Sequence, residues 1–141
     1  MTAHANLDAD AMSEPFIFIG THTLREGKLE GFKKACRELV EVVEANEPRL
    51  IAFNIYVDED GAEATVVQVH PDPDSMLFHM QVAREHISEA YQSVLEETQR
   101  IDVYGKPSDT VLETIRQLAG SEVPLSLKTH HLGGFTRSIA G

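Results

Sequence analysis

The sequence predicts an α+β fold, a ferredoxin-like β-α-β-β-α-β antiparallel sheet with a C-terminal α-β extension, and three observations carry that prediction. Strand-like runs and helical three- and four-residue spacings follow one another in this order. An Asp-Gly pair joins the second and third strands as a hairpin. The strands also carry apolar groups on both faces, Phe16 and Phe18 alternating with Ile17 and Ile19, whereas the two helices of such a unit cover only one. The uncovered face calls for a partner, and a second copy of the sheet is the simplest, which makes a dimeric α+β barrel the expected assembly.

Pro15 to Leu24 is rich in β-branched and aromatic residues and ends before Arg25-Glu26-Gly27, a strand and its turn. Lys28 to Asn46 places Leu29, Phe32, Cys36, Leu39, Val40 and Val43 on one helical stripe, stopped by Glu47-Pro48. Leu50 to Val57 and Ala64 to Val69 are the hairpin strands around Asp58-Glu59-Asp60-Gly61. That acidic turn lacks the alternating oxygen ligands and distant glutamate of a calcium loop. Asp74 or Ser75 is the expected N-cap of a second helix whose stripe is Met76, Met80, Ala83, Ile87, Ala90 and Val94. Gln99 to Gly105 reads as strand four, Ser108 to Ala119 as a helix closed by Gly120, and Val123 to Leu132 as a fifth extended run. The expected organisation is a tail at 1–14, one domain at 15–105 and its helix-strand extension at 106–141.

At 141 residues the chain has the size of one domain. Its net charge of -11 repels phosphate backbones and anionic lipid surfaces, so neither nucleic acid nor a membrane is an expected partner. No apolar run approaches the ~20 residues of a membrane span, and the start MTAHANLDADAMSEP has neither the basic region nor the apolar core of a secretory signal. The expected location is cytoplasmic. The single cysteine, Cys36, excludes an internal disulfide and sits on the apolar stripe as a small hydrophobe.

The stretches THTLREGKLEGFKKACRELVEVVEANEP and IAFNIYVDEDGAEATVVQVHPDPDSMLFHM give the region 16–104 a pattern that resembles the antibiotic-biosynthesis-monooxygenase family. Gly27-Lys28 matches the family's start of helix one, Tyr56 its strand-two Tyr, Asp72 the Asp that ends strand three, and His79 its helix-two His. Gln68 stands where the family usually has Glu and His70 where it often has Trp, a residue this chain lacks. Pro48-Arg49 replaces the common Gly-Cys or Gly-Ala. The resemblance implies a homodimeric barrel. It also implies, for enzymes of the family, oxygenation of quinol- or anthrone-type aromatics without metal or flavin: a base removes a proton and the resulting anion reduces dioxygen.

Histidine is the side chain suited to such a base near neutrality. His79 and His86 are seven apart on one helical stripe bordering Met80, Ala83 and Ile87. His22 lies on strand one and His70 at the end of strand three. The candidate catalytic residues are therefore His79 and His70, and the candidate substrate-binding residues are Tyr56, Asn54, His22, His86 and Phe78. No metal or other cofactor is expected: two histidines seven apart are ~10 Å apart along the axis, and His130-His131 face opposite ways on a strand. A haem site lacks the strand-one Asn and the Trp of the haem-degrading barrels. Gly133-Gly134 beside Thr136 and Arg137 reads as a turn before it reads as an anion cradle. Two functions stay open, a cofactor-independent monooxygenase-like enzyme on a small aromatic and a non-catalytic dimer that binds a small apolar metabolite.

Overall fold

A computed structural model describes residues 14–137; the expected tail, apart from Glu14, lies outside them, as do residues 138–141. The elements are β1 (Phe16–Leu24), α1 (Leu29–Asn46), β2 (Ala52–Val57), β3 (Glu63–His70), α2 (Pro73–Ser93), β4 (Leu95–Tyr104), α3 (Asp109–Ala119) and β5 (Leu125–Lys128). The sheet runs β2-β3-β1-β4-β5. Its first four strands pair antiparallel, in the ferredoxin-like order that the sequence predicts, and β5 joins parallel to β4. A parallel neighbour cannot be reached by a tight turn, so α3 serves as the crossover that carries the chain back to the start of β5.

Several boundaries differ from the sequence reading, three of them for reasons the structure shows. The N-cap of α2 is Asp72, whose carboxylate accepts from Ser75 N at 2.9 Å with Pro73 in the first turn. Strand β4 begins at Leu95, because pairing with β1 continues through irregularities at Thr21/His22 and Thr23/Leu24 that shift the register instead of ending it. Strand β5 is only Leu125–Lys128, since Ile101–Tyr104 is all the edge it pairs with.

The hairpin turn is built by Asp58, whose Oδ1 accepts from the backbone of Ala62 and Glu63; those bonds hold its carboxyl below the usual carboxylate range. Gly61 there has φ 67°, and a Cβ would lie 2.7 Å from Leu29 Cδ2, so the turn both needs the left-handed conformation and lets α1 start against it.

One sheet face presents Phe16, Phe18, Gly20, His22 and Leu24 of β1 to the helices; Ile17, Ile19, Val67 and Val69 lie half-buried on the other. Under the helices are two apolar clusters. Phe16, Met76, Met80, Ile101, Val103, Val111 and Ile115 form one, with α3 supplying its last two members. Leu24, Phe32, Ala64, Val94 and Leu95 form the other. The space between these clusters holds the candidate site.

Candidate functional site

Helix α1 ends at Asn46, and Glu47 continues the buried stripe of Phe32 and Val43 at the next four-residue step. This brings its carboxylate under α2. Both oxygens accept from His79 Nδ1, at 2.9 and 3.1 Å, and the side chains are 2% and 1% exposed. A carboxylate cannot donate, so Nδ1 carries the proton, and in the neutral ring Nε2 is the lone-pair nitrogen. His79 is thus fully buried and paired, not the half-exposed boundary residue that an amphipathic flank suggests. Its ring also packs against Phe53, at 5.2 Å between centroids, and against His70 at 5.9 Å.

His70 is fixed differently. Gln68 Oε1 accepts from its Nε2–H at 2.8 Å, so Nδ1 takes the Ser75 hydroxyl proton at 2.8 Å. Burial pushes its pKa down to about 3; the neighbouring His79 and Arg49 push the same way, against Asp72. Both ring nitrogens are occupied and the imidazole is neutral, which suits His70 to hold Gln68 and the His79 ring and leaves it no nitrogen for proton transfer.

Toward the other cluster, His22 Nδ1 lies 3.0 Å from Thr98 Oγ1, which lies 2.6 Å from Tyr91 Oη. Burial lowers the His22 pKa to about 4 and raises that of Tyr91. The ring leans over Gly20, where a Cβ would meet Nε2 at 3.1 Å; glycine makes the room for it.

Between the two groups is a cavity of about 340 Å³, within the range of small-molecule sites, lined mainly by apolar side chains of both sheet and helices. Its polar lining includes His22, Gln68, His79, His86 and Tyr91, with Lys34, Glu38, Glu89 and Ser93 from the helices, and Phe18, Phe53 and Cys36 are among the apolar lining. The Nδ1 of His86 is buried without a hydrogen-bond partner among the described residues. Burial raises the Cys36 thiol to about 11 against the lowering effect of Arg37, as fits a packing residue. Ile115, Leu118 and Ala119 of α3 close one end.

Of the residues singled out from sequence, His79, His22 and His86 meet at this cavity, and His70 stands directly behind it through Gln68. Three do not belong. Asn54 and Tyr56 point to the outer sheet face, Tyr56 60% exposed, because Phe53 and Ile55 take the inward positions of β2. Phe78 is 47% exposed and lines a separate cleft with Glu47, Arg49 and Ser75. The helix start and Asp72 matched in the sequence are structural: Asp72 caps α2 and pairs with Arg49. Sequence reasoning missed Glu47, Gln68, Thr98 and Tyr91. A charge on the apolar stripe of α1 was the available signal for Glu47; nothing local marks Thr98 or Tyr91. Among the described residues no cluster of three metal-ligating side chains occurs, and no helix is long and apolar enough to cross a membrane.

Fold and cavity together define a ferredoxin-like α+β protein with an apolar chamber between sheet and helices. No family model and no curated protein matches the chain. Solved structures do. MupZ from Pseudomonas fluorescens is 19% identical, with a TM-score of 0.68 over 91% of this chain and 99% of MupZ. A Nitrosomonas europaea protein provisionally named an antibiotic biosynthesis monooxygenase is 18% identical, with a TM-score of 0.58 over 67% of this chain and 91% of that one. A Bacteroides thetaiotaomicron protein of the same provisional name is 12% identical, with a TM-score of 0.54 over 62% and 85%. The chain therefore has the fold of antibiotic-biosynthesis-monooxygenase-like proteins. The MupZ match spans roughly 128 residues, more than the 105 that precede Lys106, so it includes part of the extension.

Proposed function

We propose that this protein is a cofactor-independent oxygenase-type enzyme that removes a proton from a small aromatic, of quinol or anthrone type, with His79 as the base. The observation that carries this reading is His79 at the wall of an apolar cavity, with the buried Glu47 carboxylate paired behind it. In such surroundings a carboxylate on Nδ1 holds one tautomer and stabilises the imidazolium formed when Nε2 takes a proton. For an anthrone-type substrate the C–H bond breaks and its proton goes to His79, while the electron pair stays in the ring system and reduces dioxygen. One oxygen atom becomes the new carbonyl, and the other leaves as water with the two hydrogens of the former CH₂. Gln68, held by His70, supplies a polar contact to the bound ring.

A homodimer through the outer sheet face is part of the same reading. Ile17, Ile19, Val67 and Val69 form an apolar strip there beside exposed Tyr56, and a second copy is its simplest cover. Sedimentation at micromolar concentration tests it; a stable monomer contradicts it.

The catalytic reading is tested by oxygen uptake with a panel of anthrones, naphthols and hydroquinones, repeated on Glu47→Gln. Consumption that the variant loses supports it. Tight binding of the same compounds with no oxygen uptake leaves a ligand-binding protein as the function.

A further inference from the structure

Most residues around the cavity are buried or half-buried, but five that line it are exposed to solvent: Gly31, Lys34 and Glu38 of α1, and Glu89 and Ser93 of α2. Neither the sheet nor α3 contributes an exposed lining residue. On α1 the exposed residues follow at steps of three and four, and on α2 at a step of four, so each set is one stripe along its helix. A residue that borders both solvent and cavity marks where the two meet, and the two helices pack against each other. The opening is therefore the seam between α1 and α2, roughly 10 Å long from Gly31 to Glu38 at the helical rise per residue.

The rim of this seam carries one ammonium, Lys34, against two carboxylates, Glu38 and Glu89, and the whole chain has a net charge of -11. An approaching anion meets like charge both in the long-range field and at the rim, and it then has to shed its water into a mainly apolar chamber. An uncharged molecule meets none of these obstacles. The outer sheet face, which the proposed dimer covers, is on the far side of the sheet from the helices, so the seam stays open in the assembly.

We propose that ligands enter and leave the cavity through the seam between α1 and α2, and that its rim of Lys34, Glu38 and Glu89 admits uncharged molecules and holds back anions. The proposal concerns access and stands whether or not His79 is a base. A weakly acidic ligand then enters as its neutral acid rather than as its anion. Cys36 supplies a built-in reporter, because it lines the cavity, is half-buried and is the chain's single thiol, so its modification shows what has come through.

The test is the rate at which two methanethiosulfonates modify Cys36 in the folded, full-length protein. One reagent is the uncharged methyl compound and the other the anionic sulfonatoethyl compound. Each rate is divided by the rate of the same reagent with the chain unfolded in urea, which removes intrinsic reactivity. The route is tested by Lys34→Trp and Ser93→Trp, exposed rim positions on the two helices, against Lys33→Trp, an exposed position of α1 that does not line the cavity. Thermal melts confirm that each variant is folded. Several-fold slower labelling by the uncharged reagent at either rim position, with Lys33→Trp at the wild-type rate, supports the seam. Wild-type rates in both rim variants, or an equal slowing in Lys33→Trp, place the way in elsewhere and overturn it. Selection is read from the anion, expected to be slower than the uncharged reagent by roughly 3- to 10-fold, the weight of about one unit charge met at short range in water. Glu38→Gln combined with Glu89→Gln is expected to narrow that gap. An anion as fast as the uncharged reagent, or a gap that the double variant leaves unchanged, overturns the role of the rim.

Discussion

The two ends of the cavity each hold a buried histidine bonded through Nδ1, yet the electrostatics around the two rings differ. At His79 the partner is a carboxylate, at His22 a threonine hydroxyl. A carboxylate offsets the charge of an imidazolium, which is the arrangement the proposed base role of His79 calls for. A hydroxyl offers no such charge, and burial alone takes His22 down to about 4, which keeps it neutral. The partner of the far nitrogen, rather than the histidine or its depth, decides which role the ring has.

The largest effect expected from breaking this contrast is chemical. Glu47→Gln keeps an oxygen for Nδ1–H but removes the charge, and turnover should fall roughly 10²- to 10⁴-fold with little change in melting temperature. Oxygen-uptake rates and a thermal melt check both halves. His79→Ala should lose as much activity and also stability, on the order of 3–5 kcal/mol, because it leaves the Glu47 carboxylate buried without a partner. A His79→Ala protein as stable as wild type would show that the pair is not buried in solution.

Next in size is the packing beneath the His79 end. Ile115 belongs to the cluster with Met76 and Met80 and also lines the cavity. Ile115→Ala should cost about 2–5 kcal/mol in denaturant unfolding. If it costs under about 1 kcal/mol, α3 does not hold this end of the chamber.

The His22 end can be sharpened by acid. Above the unfolded value of 6.5 neither state is protonated and His22 contributes no pH dependence. As pH falls from 6.5 toward 4, the unfolded chain binds a proton that the buried ring refuses, and stability drops by on the order of 3 kcal/mol. His70, pushed to about 3, adds a loss in the same direction. His22→Gln should make the fall in unfolding free energy between pH 7 and pH 4 shallower; an unchanged slope would mean that the ring is solvated.

The smallest effect is expected at Gly20. A methyl there meets His22 Nε2 at 3.1 Å and Phe18 Cε1 at 3.2 Å, so Gly20→Ala must tilt the ring by a few tenths of an ångström. Stability should change by less than about 1 kcal/mol, since the strain is set against the entropy gained by replacing a strand glycine. The histidine ring resonances should nevertheless shift at His22 and stay in place at His79.

Hydrophobic period and turn chemistry by themselves determined the element order, the Asp-Gly hairpin and the α+β class, because these depend on neighbours a few residues apart. The apolar stripe of α2 was enough to place His79 and His86 at the edge of an interior. Tertiary structure decided the rest. Glu47 reads locally as a helix stop, and only the packing of α1 against α2 carries it to His79, 32 residues on. His22 and Thr98, 76 residues apart, meet because β1 pairs with β4 through a shifted register that no local pattern announces. Strand alternation likewise left two registers open for β2, and the pairing with β3 turned Phe53 inward and Asn54 and Tyr56 out. Local spacing fixes which faces an element has; which face meets which is set by pairings and packing across the whole chain.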